Sequence, residues 1–398
     1  MRKLWYLGLE PYPSRYTWQL REWNRTVFQR RGIDVEYIDG DQLDSSTQIV
    51  TGSVLDAHGR CYYSATQMAQ FVKLLQQGAV TSEDAVLIDD MFTPGIESLG
   101  YVFDQTPAQY RPKVYVRSWA QSPDPDDFIN RTGMAPWMRH YEHMVDHLVD
   151  GVFVANEELV ALCRVAGWRA PIHVVGLPFE AEEVRSRAPQ LRPLWQRSRR
   201  VVFASRWDDE KQPNFYMDLA EHYATVDPDV QFVVCTGRSQ LDSNNPELAE
   251  RAQQLHRDPA VNFEILSGLN KEQYYATVAD SVILFNCALQ DWVSFTGIEA
   301  DTLGTMTVYP AYRSFPETFN NNHHHLYVPW STQSAAQRVH TVFADVAAQR
   351  TDEFDIGTLS SYQSGTIDRM LDVMAGSDQW LRSADDLCYR RHVAEPKS

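Results

Sequence analysis

The sequence predicts an α/β protein made of two doubly wound, Rossmann-like domains. Three observations predict it. Short apolar runs alternate with helix-forming stretches along nearly the whole chain, the pattern of parallel strands joined by crossovers. A length of 398 residues is long for one hydrophobic core. A charged stretch at residues 180–200, holding Pro189 and Pro193, reads as a linker, and the alternation of strand and helix resumes after it.

The elements follow in order. Residues 3–9 form a strand candidate, and Glu10-Pro-Tyr-Pro-Ser14 a loop, because two prolines block helix and ladder alike. Ser14 is placed to cap a helix over 15–31 that Gly32 ends, and 33–38 form the second strand. Residues 41–62 read as a hairpin or loop region, 64–77 as a helix, and 85–88 as a buried strand ending in Asp89-Asp90. A strand at 114–116 runs into Arg117-Ser-Trp-Ala-Gln-Ser-Pro-Asp-Pro-Asp-Asp-Phe128. Ligands of an open parallel sheet bind beyond the strand C-termini, which makes Asp90, Gln121 and Asp124 candidates for chemistry. Residues 134–150 read as a helix, 151–155 as a strand, and Asn156 as the cap of a helix over 157–165. Residues 172–178 are the last short strand of this half.

In the second half, 200–205 is a strand, followed by Arg206-Trp-Asp-Asp-Glu-Lys211 and a helix from Pro213 to His222. Strands at 231–235, 261–266 and 281–285 alternate with helices at 247–255 and 271–279. Beyond Phe285 lie Asp291, Ser294-Phe-Thr-Gly297 and Glu299, with a helix expected from about Phe295 to a left-handed cap at Gly304 and a strand at 307–309. Asn320-Asn-Asn-His-His-His325 reads as a solvated polar loop, and 334–348 and 367–381 as terminal helices. The expected division is therefore 1–178, a linker at 179–199, a second domain at 200–365 and a helical tail at 366–398.

Composition narrows the function. A formal charge of −17 argues against a protein that coats nucleic acid, though not against a local basic groove. Five scattered cysteines without metal-type spacing fit reduced thiols in a cytoplasmic protein. No stretch approaches the roughly 20 apolar residues that span a bilayer, and no signal peptide is evident. His143 and His147 share a helical face but lack the intervening Glu of a zincin. Asp124-Pro-Asp126 has the short spacing used to hold a metal on sugar donors. The same pattern recurs at Asp39-Gly-Asp41 and Asp227-Pro-Asp229, so no metal site is assigned.

Two segments carry chemistry. Arg206 and Lys211 lie five residues apart across a strand-to-helix turn, where both cations can converge on one diphosphate; the alternative is that they balance Asp208, Asp209 and Glu210. Asp291 and Glu299 lie eight residues apart on either side of a helix start, whose first amides suit an anion while the acids grip hydroxyls. The alternative there is an ordinary strand–loop–helix unit with solvated acids. The helix at 15–31 is basic, carrying Arg15, Arg21, Arg25, Arg30 and Arg31 interleaved with Tyr16, Trp18 and Trp23. It is either a solvated face or a surface for an anionic acceptor.

Taken together, Arg206…Lys211, Asp291…Glu299 with Leu303-Gly-Thr305, and Phe315-Pro-Glu317 resemble retaining glycosyltransferases of the GT-B type, in particular the glycosyltransferase family 4-like group with its Arg-x4-Lys and Glu-x7-Glu signatures. The resemblance covers residues 200–330. It implies two Rossmann-like domains facing across a cleft and transfer of a sugar from a nucleoside-diphosphate sugar, with no obligatory metal or other cofactor. Arg206 and Lys211 would neutralise the diphosphate, and Asp291, where the family has Glu, would contact the donor sugar. Glu299 would bind the ribose. Ser294, where the family has Gly, with the amides of Phe295 and Thr296, would hold phosphate or sugar, and Leu269 would meet the base. The opening of the chain also looks like phage-borne glycosyltransferases that modify hydroxymethylated pyrimidines in DNA, which would put the protein in the host cytoplasm. Arg15, Tyr16, Gln121 and Asp124 are the acceptor-side candidates. A glycan or small-molecule acceptor, or a nucleotide-sugar binding protein or epimerase of the same architecture, stays open.

Overall fold

The computed structural model describes residues 1–11, 16–43, 57–119, 122–289 and 291–382. Among these, one compact unit takes residues 1–178 and 366–382, and the other takes 179–365.

The first unit opens with β1 (Leu4–Leu7), buried along its whole length, and α1 (Tyr16–Arg30). The apolar face of α1, Leu20, Trp23, Val27 and Phe28, is buried, and Gly32 ends the turn at φ +64°. β2 (Val35–Tyr37) follows, then α2 (Ala57–Gln76). α2 starts seven residues before the expected Ser64. Its first turn is anchored by Arg60, 4% exposed, which donates to Glu10 at 2.6 Å and to Asp90 at 2.7 Å. Those partners are distant in sequence, so no local pattern announces that turn. β3 (Ala85–Ile88), α3 (Ser98–Gln105), β4 (Lys113–Arg117) and α4 (Phe128–Arg131) come next. α5 (Ala135–Asp146) ends four residues before the expected 150, because the Asp146 carboxylate accepts from the amides of Arg169 and Ala170. β5 (Gly151–Val154) leads into α6 (Glu157–Val165), capped as expected by Asn156, whose Oδ1 accepts from the Leu159 amide at 3.0 Å. β6 (Ile172–Val174) closes the parallel set.

In the second unit, the segment expected as a linker carries α7 (Ala181–Arg187) before β7 (Ser198–Phe203). Then come α8 (Pro213–Val226), β8 (Gln231–Cys235), α9 (Pro246–Arg257), β9 (Phe263–Leu266), α10 (Lys271–Ala279) and β10 (Ser281–Phe285). α11 (Phe295–Thr302), β11 (Met306–Pro310), α12 (Phe315–Thr318), β12 (Leu326–Tyr327), α13 (Thr332–Ala347) and α14 (Thr358–Ser364) complete it. The sheet order is β12-β11-β10-β7-β8-β9, every pair parallel. α7 packs on α10 and α11, and α8 packs on α13. Phe203, Trp207, Tyr216, Phe232 and Phe285 fill the core between sheet and helices.

The polar loop at 320–325 differs from expectation. His325 is 4% exposed: its Nδ1 and Nε2 lie 2.9 Å from the Thr307 carbonyl and 2.7 Å from that of Phe354, and its ring stacks on Phe319. Burial is tolerated because the neutral ring can donate from Nε2 to the Phe354 carbonyl while Nδ1 accepts from the Thr307 hydroxyl 3.0 Å away, its pKa lowered first by desolvation.

The chain then returns to the first unit through α15 (Thr366–Met374) and β13 (Leu381–Arg382), with Gly376 at φ +108° turning between them. β13 pairs antiparallel with β6, giving the order β13-β6-β5-β4-β3-β1-β2, so the expected last strand of this half is not the edge of its sheet. Arg30 and Arg31 of α1 hold Asp368 and Asp372 of α15. Among the described residues, no helix is long and apolar enough to cross a membrane.

Candidate functional site

The order of the second sheet decides where a ligand can sit. From β7 the chain moves outward through β8 and β9, then crosses back to place β10 on the other side of β7. The loops leaving the C-terminal ends of β7 and β10 therefore diverge, which opens a crevice at this switch point. Both chemistry-bearing segments leave from these two strands: Arg206–Lys211 follows Phe203, and Asp291–Glu299 follows Phe285.

The first segment is a tight turn. Trp207 is 2% exposed, packs edge-on against Phe203 and donates its indole N–H to Leu248 O. That anchor leaves Arg206, two-thirds exposed at the side chain, on the outer side of the turn, bridging Asp208 and Glu210. Asp208 is itself fixed, its other oxygen accepting from the Asn244 amide at 2.9 Å. Gln212 adopts φ +53° and Pro213 opens α8, so the chain reverses directly after Lys211.

The second segment is bonded to the first. The Leu289 amide donates to Glu210 O at 2.8 Å, and the Cys287 thiol to the carbonyls of Lys211 and Gln212, both at 3.3 Å. Lys211, 7% exposed, brings Nζ to 3.7 Å from Asp291 Oδ1, and Asn286 Nδ2 lies 3.4 Å from Asp291 Oδ2. Ser294 precedes α11 without capping it; its hydroxyl pairs with that of Thr296 at 2.9 Å. α11 ends where expected, with Gly304 at φ +71°. Glu299, 3% exposed, accepts on Oε1 from Lys271 Nζ at 2.8 Å and from the Tyr275 hydroxyl at 3.1 Å. Leu269 follows Gly268, which is at φ +70°, and donates its amide to Thr236 O at the end of β8. The turn cations, the acids and the Leu269 loop thus all lie on the C-terminal edge of one sheet.

The acceptor-side candidates belong to the first unit. Tyr16 begins α1, 39% exposed, with its ring 6.1 Å from that of Trp119. Asp124 is buried and turned into its own loop, accepting from the Asp126 amide at 3.0 Å. Arg15 and Gln121 lie outside the described residues. The basic face of α1 is largely compensated: Arg21 pairs with Asp39, Arg25 with Glu22, and Arg30 and Arg31 with α15, while Trp23 is buried.

Sequence reasoning missed several groups. Lys271 and Tyr275 are one helical turn apart at the start of α10, a spacing that could have marked a shared face. Sequence reasoning named Asp90 but missed the rest of the buried ionic cluster in which Asp90 lies, at the switch point of the first sheet between β1 and β3. There Arg117 and the Tyr6 hydroxyl hold Asp89, and Arg60 holds Glu10 and Asp90. Burial, only partly offset by Arg60, pushes the Asp90 carboxyl up to about 6. Among the described residues, no group of His, Cys, Asp and Glu is arranged to hold a metal ion.

No protein-family model and no curated protein matches the sequence. Solved structures do match in fold. Trehalose-6-phosphate synthase OtsA aligns with a TM-score of 0.62 and 10% identity, over 96% of this chain and 100% of that one. Sucrose-phosphate synthase from Thermosynechococcus elongatus aligns with a TM-score of 0.61 and 13% identity, over 94% and 96%. Anabaena HepE in complex with UDP-glucose aligns with a TM-score of 0.56 and 13% identity, over 93% and 99%. The fold is that of the GT-B class, with two Rossmann-type parallel sheets.

Proposed function

We propose that the protein is a glycosyltransferase that takes a nucleoside-diphosphate sugar as donor and transfers the sugar to an acceptor hydroxyl with retained configuration. The observation that carries this reading is the joining of the Arg206–Lys211 turn to the Asp291–Glu299 segment at the switch point of one sheet, with Lys211 3.7 Å from Asp291. GT-B proteins of similar fold have been seen with UDP and UDP-glucose, which agrees with it.

Arg206 and Lys211 are assigned to the donor diphosphate. The bond between the anomeric carbon and the phosphate oxygen breaks and the acceptor oxygen bonds to that carbon from the same face. The acceptor proton passes to the departing phosphate. Catalysis is then electrostatic, with cations and the start of α11 aimed at charge that grows on the leaving group. Asp208 and Glu210 hold the Arg206 guanidinium at the mouth of the site until a diphosphate competes for it. Asp291 and Ser294, with the amides of Phe295 and Thr296, would meet the sugar and phosphate, Glu299 the ribose, and the Leu269 loop the base. For the acceptor, the compensated arginines of α1 favour a neutral glycan or small-molecule hydroxyl over a hydroxymethylated pyrimidine in DNA.

Mass spectrometry after incubation with a panel of nucleotide sugars tests the proposal, with and without hydroxymethylated DNA at two salt concentrations. Arg206→Ala should lower turnover by ~10²-fold, the loss typical of one preorganised donor, with little change in stability because the side chain is largely exposed. Near-normal turnover of that variant would sink the assignment. Release of an isomerised nucleotide sugar would mark an epimerase, and binding without release a binding protein. Activity on DNA that falls steeply with salt would restore the nucleic-acid acceptor.

A further inference from the structure

A second cleft opens at the other edge of the same sheet. Arg197, Asp280 and Thr305 stand just before β7, β10 and β11, at the N-terminal ends of these strands. The cleft beside them holds about 500 Å³ and is lined by Gly304 and by residues of the segments 192–197 and 351–358. The length of β7 and β10 sets it on the order of 15 Å from the Arg206–Lys211 turn. Each lining segment contains a 3₁₀ turn pinned to the core by one apolar side chain, Leu194 in the first and Phe354 in the second. With Leu194 turned inward, its neighbour Trp195 is left 43% exposed on the cleft.

The charges of the cleft are unevenly matched. Arg197 donates from Nε to the Arg192 carbonyl at 2.8 Å, from Nη1 to the Thr305 hydroxyl at 3.0 Å and from Nη2 to the Leu303 carbonyl at 3.1 Å. All three acceptors are neutral, and a guanidinium has five N–H groups, so two remain for a ligand. Burial, and then the charge of Arg192, hold the Arg197 pKa down to about 10. The dipole of α11 explains why a cation can stand at Leu303, and Gly304 gives it room, since a Cβ there would fall 2.9 Å from Nη2. Neither explains the second arginine beside it. Arg192, half exposed, pairs with Asp280, a carboxylate that also accepts from the Ser198 hydroxyl and lies 3.6 Å from Arg200. The 351–358 segment brings acids instead: Asp352 and Asp355 are both exposed, and Asp355 accepts from Asn322 Nδ2 at 3.2 Å.

We propose that this cleft is a second ligand site, separate from the donor site, and that it takes a sugar phosphate. The phosphate monoester meets Arg192 and the remaining N–H groups of Arg197, Asp352 and Asp355 accept from the sugar hydroxyls, and Trp195 covers an apolar face of the ring. The separation of charge within the cleft selects such a ligand. Phosphate alone gains nothing from the carboxylates, and a neutral sugar leaves the arginines unmatched. None of these residues is assigned to the nucleotide sugar, so the site stands whether or not the donor reading does. Arg197 also ties the cleft to α11, whose other end carries Phe295 and Thr296.

The test is calorimetric titration of the full chain with glucose 6-phosphate, fructose 6-phosphate, mannose 6-phosphate and ribose 5-phosphate, with inorganic phosphate and glucose as probes of the two halves. At least one sugar phosphate should bind about 10-fold or more tightly than inorganic phosphate or glucose, the gain from one hydrogen bond to a charged group. Arg192→Gln should weaken that binding by about 10-fold and Trp195→Ala by about threefold or more. Both side chains are largely exposed, so each variant keeps its core, and the two report independently. Arg206→Ala, at the opposite edge of the sheet, should bind the sugar phosphate as the wild type does. Binding of none of the four sugar phosphates, unchanged affinity in both cleft variants, or inorganic phosphate bound as tightly as the esters would overturn the assignment. Binding lost in Arg206→Ala and kept in Arg192→Gln would place the ligand in the donor crevice and overturn it as well.

Discussion

Gly297 sits one turn into α11, where only a hydrogen fits. A Cβ built there would fall 2.2 Å from the Tyr309 hydroxyl and 3.1 Å from its Cζ. The tyrosine cannot swing away: it is 1% exposed, and its ring centroid is 4.9 Å from those of Phe315 and Phe319. Gly297→Ala therefore forces either α11 or the β11 side chain to move. Overpacking of this kind costs about 1–3 kcal/mol. A helix interior regains about 1 kcal/mol when glycine becomes alanine, so a net destabilisation of up to about 2 kcal/mol is expected. Tyr309→Phe removes the clashing oxygen, which lies beside Ser294 and Asn286 without a well-formed hydrogen bond, and so costs about 1 kcal/mol or less by itself. In that background Gly297→Ala should cost clearly less, since only the tighter-than-usual 3.1 Å approach to Cζ remains, which gives a coupling of roughly 1–3 kcal/mol in a double-mutant cycle. Urea unfolding of the four proteins, followed by tryptophan fluorescence, measures it. Because Gly297 adjoins the amides of Phe295 and Thr296, Gly297→Ala should also weaken nucleotide binding, and Tyr309→Phe should restore it. Additive effects in the cycle, or a stabilising Gly297→Ala in the wild type, would show that α11 does not rest on Tyr309 as described.

Two further predictions concern burial. His173 is 4% exposed and desolvation lowers its pKa to about 4, so below about 6.5 the unfolded chain takes up a proton that the folded chain refuses until about 4. Its contribution thus falls as pH drops through that window, by on the order of 2 kcal/mol at pH 5 relative to pH 8. Asp90, raised to about 6, acts in the opposite sense, so the quantity to measure is the stability difference between His173→Gln and wild type. That difference should shift in favour of the variant between pH 8 and pH 5, and a pH-independent difference would refute the argument. Among the described cysteines, Cys61 is exposed while Cys163, Cys235 and Cys287 are buried, burial pushing the Cys235 thiol up to about 12. Alkylation at pH 8 followed by peptide mass mapping should modify Cys61 quickly and those three only after unfolding. Comparable rates at all four would mean that the cores of both units are looser than described.

The parts of the fold legible in the sequence are those encoded within a few residues. The strand at Ala85–Ile88, the strand at Ser281–Phe285 and the helix at Lys271–Ala279 stand where apolar runs and their breakers put them. Asn156 starts its helix and Gly304 closes its own because one side-chain acceptor or one left-handed glycine suffices. Residue types also exposed the two charged segments, since a diphosphate needs cations and a ribose needs an acceptor for its hydroxyls.

What depended on tertiary structure is which groups meet. Lys211 and Asp291 are 80 positions apart in the numbering, and they meet because β10 crosses back to lie against β7. The same crossing sets Lys271 on Glu299, a pairing that neither segment announces. In the first unit, the early start of α2 follows from Arg60 reaching Glu10 and Asp90, and the charge of α1 is taken up by carboxylates of α15 more than 330 residues on. His325 could be buried because the Phe354 carbonyl and the Thr307 hydroxyl, each distant in sequence, meet its two nitrogens. Periodicity and caps are properties of a short window. Charge compensation and burial are properties of neighbours, and strand order, which no window contains, decides who the neighbours are.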